Sequence, residues 1–189
     1  MLDELANKYK TDKGPSGHHH TKYYEQIFGN RRHEIKTVLE IGVYRGASLR
    51  MWAEFFPNAE IFGIDNNPKV QARTKHKVFI GDQMDLIFLQ KVIKELNRPV
   101  DLIIDDGGHT QDQHIFTFEL LWPSVAPGGY YAIEDLQTYW SPRHKSTQGK
   151  DSMKYLHNLS EKVAIRYLTK TDIETIKFCN KIVFMEKEK

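Results

Sequence analysis

Apolar and polar residues alternate along the chain in blocks that predict alternating strands and helices. Five short apolar runs read as strands, at residues 37–41, 61–65, 77–80, 100–104 and 130–133. Between these runs, apolar residues recur at the spacing of one helical face, as Leu49, Trp52 and Phe56 do. Near-continuous apolar strands are typical of strands covered on both sides. The pattern therefore predicts an α/β fold, a doubly wound parallel sheet with right-handed crossovers and helices on both faces.

The two ends of the chain extend this pattern. Residues 1–10 and 23–28 predict two short helices that are joined by a breaker-rich connection at residues 11–17. The sequence predicts a turn at 127–129, a long loop at 136–151 and a last helical stripe formed by Leu156, Leu159, Val163 and Tyr167. Runs at 173–178 and 181–185 have no helix between them, which indicates a hairpin-like pair.

Composition narrows the class of protein. The chain has 189 residues and a formal net charge of +2, which predicts one domain (1–189) and no general attraction to nucleic acid. A single cysteine, Cys179, excludes an intramolecular disulfide and suits a reducing compartment. We find no secretory signal and no apolar run of membrane-spanning length, so we expect a cytoplasmic protein without a membrane partner.

A glycine loop follows the first predicted strand. Glu40 and Gly42 end the strand, Tyr44 and Gly46 lie in the loop, and a helix begins directly afterwards. Such a turn can receive a polar ligand on backbone N–H groups, although glycines there are often only structural. Asp65 ends the second strand, 25 residues after Glu40, where nucleotide-binding folds contact ribose hydroxyls.

Acidic residues also end the fourth and fifth strands. Asp106, Glu134 and Asp135 can converge if these strands are neighbours, and converging carboxylates indicate a cation such as Mg²⁺. The alternative is that the acids cap helices, which is equally plausible for Asp105. His109 follows Asp106 by three residues at the expected start of a helix, where it can act as a general base or simply as a helix cap.

These motifs resemble those of class I S-adenosylmethionine-dependent methyltransferases. The cofactor loop of that family is usually Glu-x-Gly-x-Gly-x-Gly, and this chain has Tyr44 at the middle glycine. The stretches 105–109, 127–129 and 133–140 are similar to those of the metal-dependent sugar O-methyltransferases of macrolide and rhamnosyl antibiotic biosynthesis. That group usually has Asp-Asp-Gly-Ser-His, so Gly108 is a departure.

The resemblance implies S-adenosylmethionine and Mg²⁺ as cofactors and an antiparallel C-terminal edge on a Rossmann-like, seven-stranded sheet. It implies that Asp106, Glu134 and Asp135 bind the metal and that His109, with Asp106, carries catalysis. The residues expected to contact the cofactor are Thr11, Lys13, Glu40, Gly42, Tyr44, Gly46, Ser48, Asp65, Asn66, Asp82, Gln83 and Asp105. Residues 1–36 would form a helical segment over the cofactor side of a core at 37–189.

We therefore expect an O-methyltransferase whose acceptor is a small molecule, a sugar or glycoside. A catechol-type methyltransferase and a catalytically silent nucleotide-binding module remain alternatives. Tyr44 disfavours an NAD-dependent oxidoreductase. We expect Tyr139, Trp140, Arg143 and His144 to lie in a loop suited to an acceptor lid, or merely to pack that loop. For His18, His19 and His20 we favour a loop or helix-start role over metal binding.

Some members of the family that the chain resembles carry an extra N-terminal domain that helps to assemble oligomers, so a homo-oligomer remains a possible partner state.

Overall fold

The computed structural model describes residues 1–189 as seven strands and seven helices. The strands are β1 (Thr37–Ile41), β2 (Glu60–Asp65), β3 (Lys77–Ile80), β4 (Val100–Asp105), β5 (Val125–Ile133), β6 (Ile173–Cys179) and β7 (Ile182–Lys187). The helices are α1 (Leu2–Tyr9), α2 (Thr21–Phe28), α3 (Ala47–Phe55), α4 (Leu86–Leu96), α5 (Gln111–Leu121), α6 (Ser152–Ala164) and α7 (Arg166–Thr169). Every strand and helix predicted from the apolar pattern is present.

The strands form one sheet in the order β3-β2-β1-β4-β5-β7-β6. Strands β1 to β5 are parallel, whereas β7 pairs antiparallel with both β5 and β6. The order reverses at β1, because the chain first winds outwards to β3 and then returns to place β4 on the other side. The Rossmann-like sheet with an antiparallel edge is confirmed, and its switch point lies between β1 and β4.

Each face of the sheet is covered by helices. Val38 of β1 belongs to an apolar cluster that includes buried residues of α1, α2 and α3, whereas Leu39 belongs to the cluster with α4, α5 and α6. Successive strand residues point to opposite faces, so Glu40 lies on the same face as Val38 and is buried beneath α3. This places one carboxylate inside the first cluster.

The structure corrects two predicted elements. Residues 127–129 are not a separate turn but belong to β5, which starts at Val125. Val125 pairs with Val100, the register then shifts, and regular pairing resumes at Tyr130, so the Pro-Gly-Gly segment is an irregularity within the strand.

The second correction concerns the last helical stripe. Helix α6 ends at Ala164, and Tyr167 lies in the separate short helix α7 with 82% of its surface exposed. The stripe therefore ends at Val163, which packs against the second cluster. The predicted loop at 136–151 contains two 3₁₀ turns, Leu136–Trp140 and Pro142–His144. None of the helices combines the length and apolar character that crossing a membrane would need.

Candidate functional site

A cleft of about 810 Å³ opens at the carboxyl ends of the parallel strands. Its walls come from the connection after α1, the glycine loop and the segments that follow β2, β3, β4 and β5. Of the predicted cofactor residues, those that line it are Thr11, Lys13, Gly42, Tyr44, Ser48, Asp65, Asn66, Asp82 and Gln83. The predicted residues Asp106, His109 and Asp135 line it too, whereas Glu40, Gly46, Asp105 and Glu134 do not.

The glycine loop is held against the end of β4. Gly42 has a φ of +90°, and a Cβ atom built on it would lie 1.9 Å from the carbonyl oxygen of Asp106. Only glycine therefore permits this approach of the two backbones. Tyr44, at the usual middle glycine, also has a positive φ of 52°, and 69% of its surface is exposed at the mouth of the cleft.

Asp65 fixes the conformation of this loop. One carboxylate oxygen accepts hydrogen bonds from the backbone N–H groups of Val43 and Tyr44, both at 2.9 Å. The other oxygen accepts from the N–H of Asn67 at 2.8 Å. Asp65 thus joins the end of β2 to the glycine loop at the place predicted for ribose binding.

A buried ammonium group lies among three carboxylates beside the cleft. The Nζ atom of Lys13 is 2.6 Å from Asp106 Oδ2, 2.6 Å from Glu134 Oε2 and 3.3 Å from Glu40 Oε1. The Lys13 side chain is 2% exposed. Burial alone lowers the pKa of Lys13, but the three carboxylates outweigh it and hold that pKa well above its usual range. Lys13 is therefore a permanent internal cation that ties the N-terminal segment to β1, β4 and β5.

Both oxygens of Glu40 and both oxygens of Glu134 have polar partners within the protein. Glu40 accepts from the Ser48 hydroxyl at 2.6 Å and from the Trp52 indole N–H at 3.2 Å. Glu134 accepts from the Tyr24 hydroxyl at 2.7 Å as well as from Lys13. Burial raises the pKa of Glu134, but the charge of Lys13 and these hydrogen bonds outweigh it, so the pKa lies below its ordinary value.

Two carboxylate oxygens remain open toward the cleft. Asp106 Oδ1 lies 3.9 Å from His109 Nε2, and Asp135 Oδ2 lies 3.8 Å from the same nitrogen. His109 Nε2 and these two oxygens all lie within 4.8 Å of one another, so a cation bound by the two carboxylates would lie beside the imidazole. Carboxylate oxygens suit Mg²⁺, which keeps several waters in its coordination shell and needs few protein ligands. The open oxygens of Asp106 and Asp135 therefore fit a divalent cation. Glu134 lies next to them and is joined to Asp106 through the ammonium group of Lys13.

His109 has the environment of a neutral imidazole. The structure places it just before α5, whose cap is Thr110, and gives it a left-handed φ of 58°. Burial lowers the pKa of His109, and the nearby charges of Asp135 and Glu134 only partly oppose this. At neutral pH its lone pair is therefore free to accept a proton.

Asp105 lies beneath the cleft and supports it. It is fully buried and accepts hydrogen bonds from the Tyr131 hydroxyl at 3.2 Å and from the Gln83 amide at 3.4 Å. Burial raises the pKa of Asp105 to about 7. Gln83 in turn accepts from the N–H of Gly108 at 2.8 Å, which positions the segment leading to His109.

Sequence reasoning missed three partners of the acidic cluster. Tyr24 lies in the short helix predicted at residues 23–28, but nothing in the local pattern indicated its hydrogen bond to Glu134. His18 and His20, assigned to a loop or helix start, both contact Asp135, and His20 does precede α2 as expected. In the predicted lid, the ring of His144 lies 6.2 Å from that of His109, and Trp140 is 83% exposed.

Comparison with known proteins agrees with this site. The family described as "Methyltransferase domain" matches residues 39–136, just over half of the chain. Mycinamicin VI 2''-O-methyltransferase of Micromonospora griseorubida is 38% identical over 148 residues, which cover 74% of this chain and 37% of the relative. Demethylmacrocin O-methyltransferase of Streptomyces fradiae is 39% identical, again with 74% and 37% covered. The chain thus spans less than half the length of these curated relatives.

A solved structure is similar over the whole chain. MycE methyltransferase from the mycinamycin biosynthetic pathway, in complex with Mg, SAH and mycinamycin VI, superposes with a TM-score of 0.88 at 33% identity. The match covers 100% of this chain and 54% of that one. The fold, the matched segment and these relatives agree with the resemblance carried by the motifs, and the chain belongs to the methyltransferase domain family.

Proposed function

We propose that the protein transfers a methyl group from S-adenosylmethionine to a hydroxyl group of a sugar or glycoside, with the help of a divalent cation. The observation that carries this proposal is the placement of two open carboxylate oxygens, from Asp106 and Asp135, opposite the neutral His109 at the edge of the cleft. Sugar hydroxyls are weak acids, so their methylation needs both a base and charge stabilisation.

The names of the relatives support the choice of acceptor class. Two curated relatives are O-methyltransferases, and the name of one specifies a 2''-O position of mycinamicin VI. The similar solved structure was obtained with Mg, SAH and mycinamycin VI. Each of these proteins is much longer than this chain, so acceptor choice is proposed only as a chemical class.

The cleft supplies the groups that S-adenosylmethionine requires. The glycine loop offers backbone at Gly42 and Tyr44, and the carboxylates of Asp65 and Asp82 are acceptors for ribose hydroxyls and the adenine region. Lys13 lines the cleft and pairs with the buried carboxylate of Glu40 at 3.3 Å. Glu40 and Asp105, which are buried, act through Ser48 and Gln83 rather than by direct contact.

The proposed base is His109. Its Nε2 atom accepts the proton of the acceptor hydroxyl, and Asp135 Oδ2, 3.8 Å away, stabilises the imidazolium that results. Asp106 and Asp135 would hold the cation through their open oxygens, and Glu134, which is bonded to Lys13 and Tyr24, would complete the site only by exchanging one of these partners. The cation would supply several kcal/mol of stabilisation to negative charge on the acceptor oxygen. The exposed ring of Trp140, which packs edge-on against the half-buried Tyr139, offers a flat apolar surface to a sugar ring. Assembly into homo-oligomers and a cytoplasmic location stay predictions.

The test combines binding with turnover. Calorimetric titration of the metal-stripped protein with S-adenosylhomocysteine, with NAD as the control ligand, should show binding of the first alone. A panel of glycosides and phenols is then incubated with S-adenosylmethionine, with Mg²⁺ or with chelator. We expect methylation of a glycoside only with Mg²⁺, and its loss in Asp106→Asn.

The variant His109→Gln should lower turnover by about 10²–10⁴-fold and leave binding of S-adenosylhomocysteine unchanged. The matched control is His157→Gln, which changes an exposed histidine far from the cleft. Full activity after metal removal would contradict the cation, and methylation of phenols alone would favour the catechol-type alternative. Binding of S-adenosylhomocysteine without transfer to any acceptor would favour the silent module.

A further inference from the structure

Two histidines of the N-terminal segment meet a carboxylate at the end of β5. His18 Nδ1 contacts Asp135 Oδ1, and His20 Nε2 lies 3.4 Å from the same oxygen. The three ligand atoms lie within 4.8 Å of one another. His20 is fully buried, whereas the side chain of His18 is 32% exposed. We call this group the His18–His20–Asp135 cluster.

The spacing around His20 is wider than good hydrogen bonds require. Its Nε2 atom lies 3.4 Å from Asp135 and 3.8 Å from Glu134 Oε2, whereas N–H···O bonds are usually about 2.7–3.2 Å long. Ligands bound to one tetrahedral ion at about 2.0–2.1 Å are themselves separated by about 3.4 Å. The distance from His20 to Asp135 therefore suits two ligands of one ion better than a direct hydrogen bond. His18 Nδ1 is in direct hydrogen-bond contact with Asp135, so its ring has to shift outwards to admit an ion.

The backbone turns both histidines toward Asp135. His19, between them, has a left-handed φ of 57°, and Asp135 has the same value. Such conformations are unfavourable for residues other than glycine and are found where the surroundings hold them. His19 itself points away, with Nε2 3.7 Å from Asp3 Oδ2. The local conformation thus selects His18 and His20 and leaves His19 outside the cluster.

Asp135 joins the proposed catalytic site to this cluster. The other three carboxylates nearby, those of Glu40, Asp106 and Glu134, already contact the ammonium group of Lys13, whereas Asp135 does not. The two oxygens of Asp135 face different neighbours: Oδ2 faces His109, and Oδ1 faces His18 and His20 and also accepts a 3.0 Å hydrogen bond from the side-chain amide of Gln137.

We propose that His18, His20 and Asp135 form a second metal site, which binds a divalent first-row transition-metal ion of the Zn²⁺ type. Imidazole ligands favour such ions, whereas the oxygen atoms of the proposed catalytic site favour Mg²⁺. Asp135 bridges the two sites through its two oxygens. The bound ion clamps the segment before α2 onto the end of β5, beside the cleft, and this role does not depend on methyl transfer.

The test is a titration of untagged, metal-stripped protein with Co²⁺, which absorbs visible light strongly when imidazole binds it in a four-coordinate site. The titration is made in excess Mg²⁺, which occupies the oxygen-rich site and is itself colourless. We expect one Co²⁺ per chain with a visible spectrum, displaced by Zn²⁺. Zn²⁺ at a hundredfold excess over its Kd should raise the thermal midpoint by about 5–10 °C.

Variants separate the two sites. His18→Gln should weaken Co²⁺ binding by about 100-fold and abolish the visible spectrum, whereas His19→Gln, the matched control, should leave both unchanged. Asp135→Asn should weaken Co²⁺ and Mg²⁺ together. His20→Gln is examined only if its binding of S-adenosylhomocysteine shows that it is folded.

An identical Co²⁺ isotherm in wild type and His18→Gln would overturn the second site, as would complete displacement of Co²⁺ by Mg²⁺. In the latter case Co²⁺ occupies the oxygen-rich site instead. Neither result bears on methyl transfer, which is measured separately with Mg²⁺ alone, so failure of this site and failure of the proposed function are distinguishable.

Discussion

The hydroxyl group of Tyr24 provides a sharp test of how the acidic cluster is held together. It donates a 2.7 Å hydrogen bond to Glu134 Oε1, and both side chains are buried. Tyr24→Phe removes this oxygen alone, because the ring keeps its contacts with Trp52 and Phe184. The perturbation therefore isolates one hydrogen bond to a charged group.

The magnitude follows from the charge and the burial. Hydrogen bonds to ionised groups contribute about 1.5–3 kcal/mol to stability, and burial shields this one from competing water. Glu134 keeps its second partner, Lys13, so the carboxylate is not left alone. We expect the free energy of unfolding to fall by about 1.5–3 kcal/mol, and the thermal midpoint by about 3–12 °C for a domain of this size.

The assay is urea denaturation at pH 7.5, followed by circular dichroism, with Tyr23→Phe as the control. The Tyr23 hydroxyl accepts one exposed 3.3 Å hydrogen bond from the N–H of Asn180, so its loss should change stability by less than about 0.5 kcal/mol. Equal effects of the two variants would refute the reasoning. If Glu134 helps to hold the cation, Tyr24→Phe should also weaken Mg²⁺ binding by about 10–100-fold in calorimetry.

Three further predictions concern residues in the cleft wall or packed behind it. Burial lowers the pKa of His114 from 6.5 to about 3. Below pH 6.5 the unfolded chain therefore binds a proton at this residue that the native state does not bind, so the free energy of unfolding decreases as the pH is lowered. Denaturation at pH 7.5 and pH 5 should therefore show about 2 kcal/mol more acid destabilisation in wild type than in His114→Gln. Gly42→Ala places a methyl group against the carbonyl of Asp106 and should cost at least about 2 kcal/mol in the same assay, with loss of S-adenosylhomocysteine binding in calorimetry. Asp65→Asn replaces one accepting oxygen by an amide nitrogen. It should lower the free energy of unfolding by about 1.5–3 kcal/mol and weaken the binding of S-adenosylhomocysteine.

Matched controls keep these predictions specific. His157→Gln changes a histidine that is 70% exposed, and it should not reproduce the effect of His114→Gln, which depends on burial. Gly149→Ala also alters a glycine with positive φ, 72°, but its Cβ meets nothing within 4 Å, so it measures backbone strain without the clash. If Gly42→Ala were no more destabilising than Gly149→Ala, the close approach of β1 and β4 would not be the reason for this glycine.

The fold was largely accessible from the sequence because its signals are local. Each buried parallel strand is a short apolar run, and each covering helix shows its own periodic face, so both can be recognised without knowing their partners. The two errors arose where a local signal was overridden. The Pro-Gly-Gly segment at 127–129 reads as a turn, but Val125 and Tyr130 on either side of it both pair with β4, so it lies inside β5 as an irregularity. Tyr167 fits the helical stripe, but the helix breaks at Ile165.

The sequence by itself determined the order of strands and helices, the family, and which carboxylates and which histidine could share a cleft, because these residues follow strands whose ends meet at one edge. Only the tertiary structure decided how their atoms are used. It placed the ammonium of Lys13 among three carboxylates, turned Glu134 toward Tyr24, left one oxygen each of Asp106 and Asp135 open, and brought His18 and His20 to Asp135. Those contacts join residues about 90 to 120 positions apart, and a pairing over such separations depends on how whole elements pack, which no local pattern records.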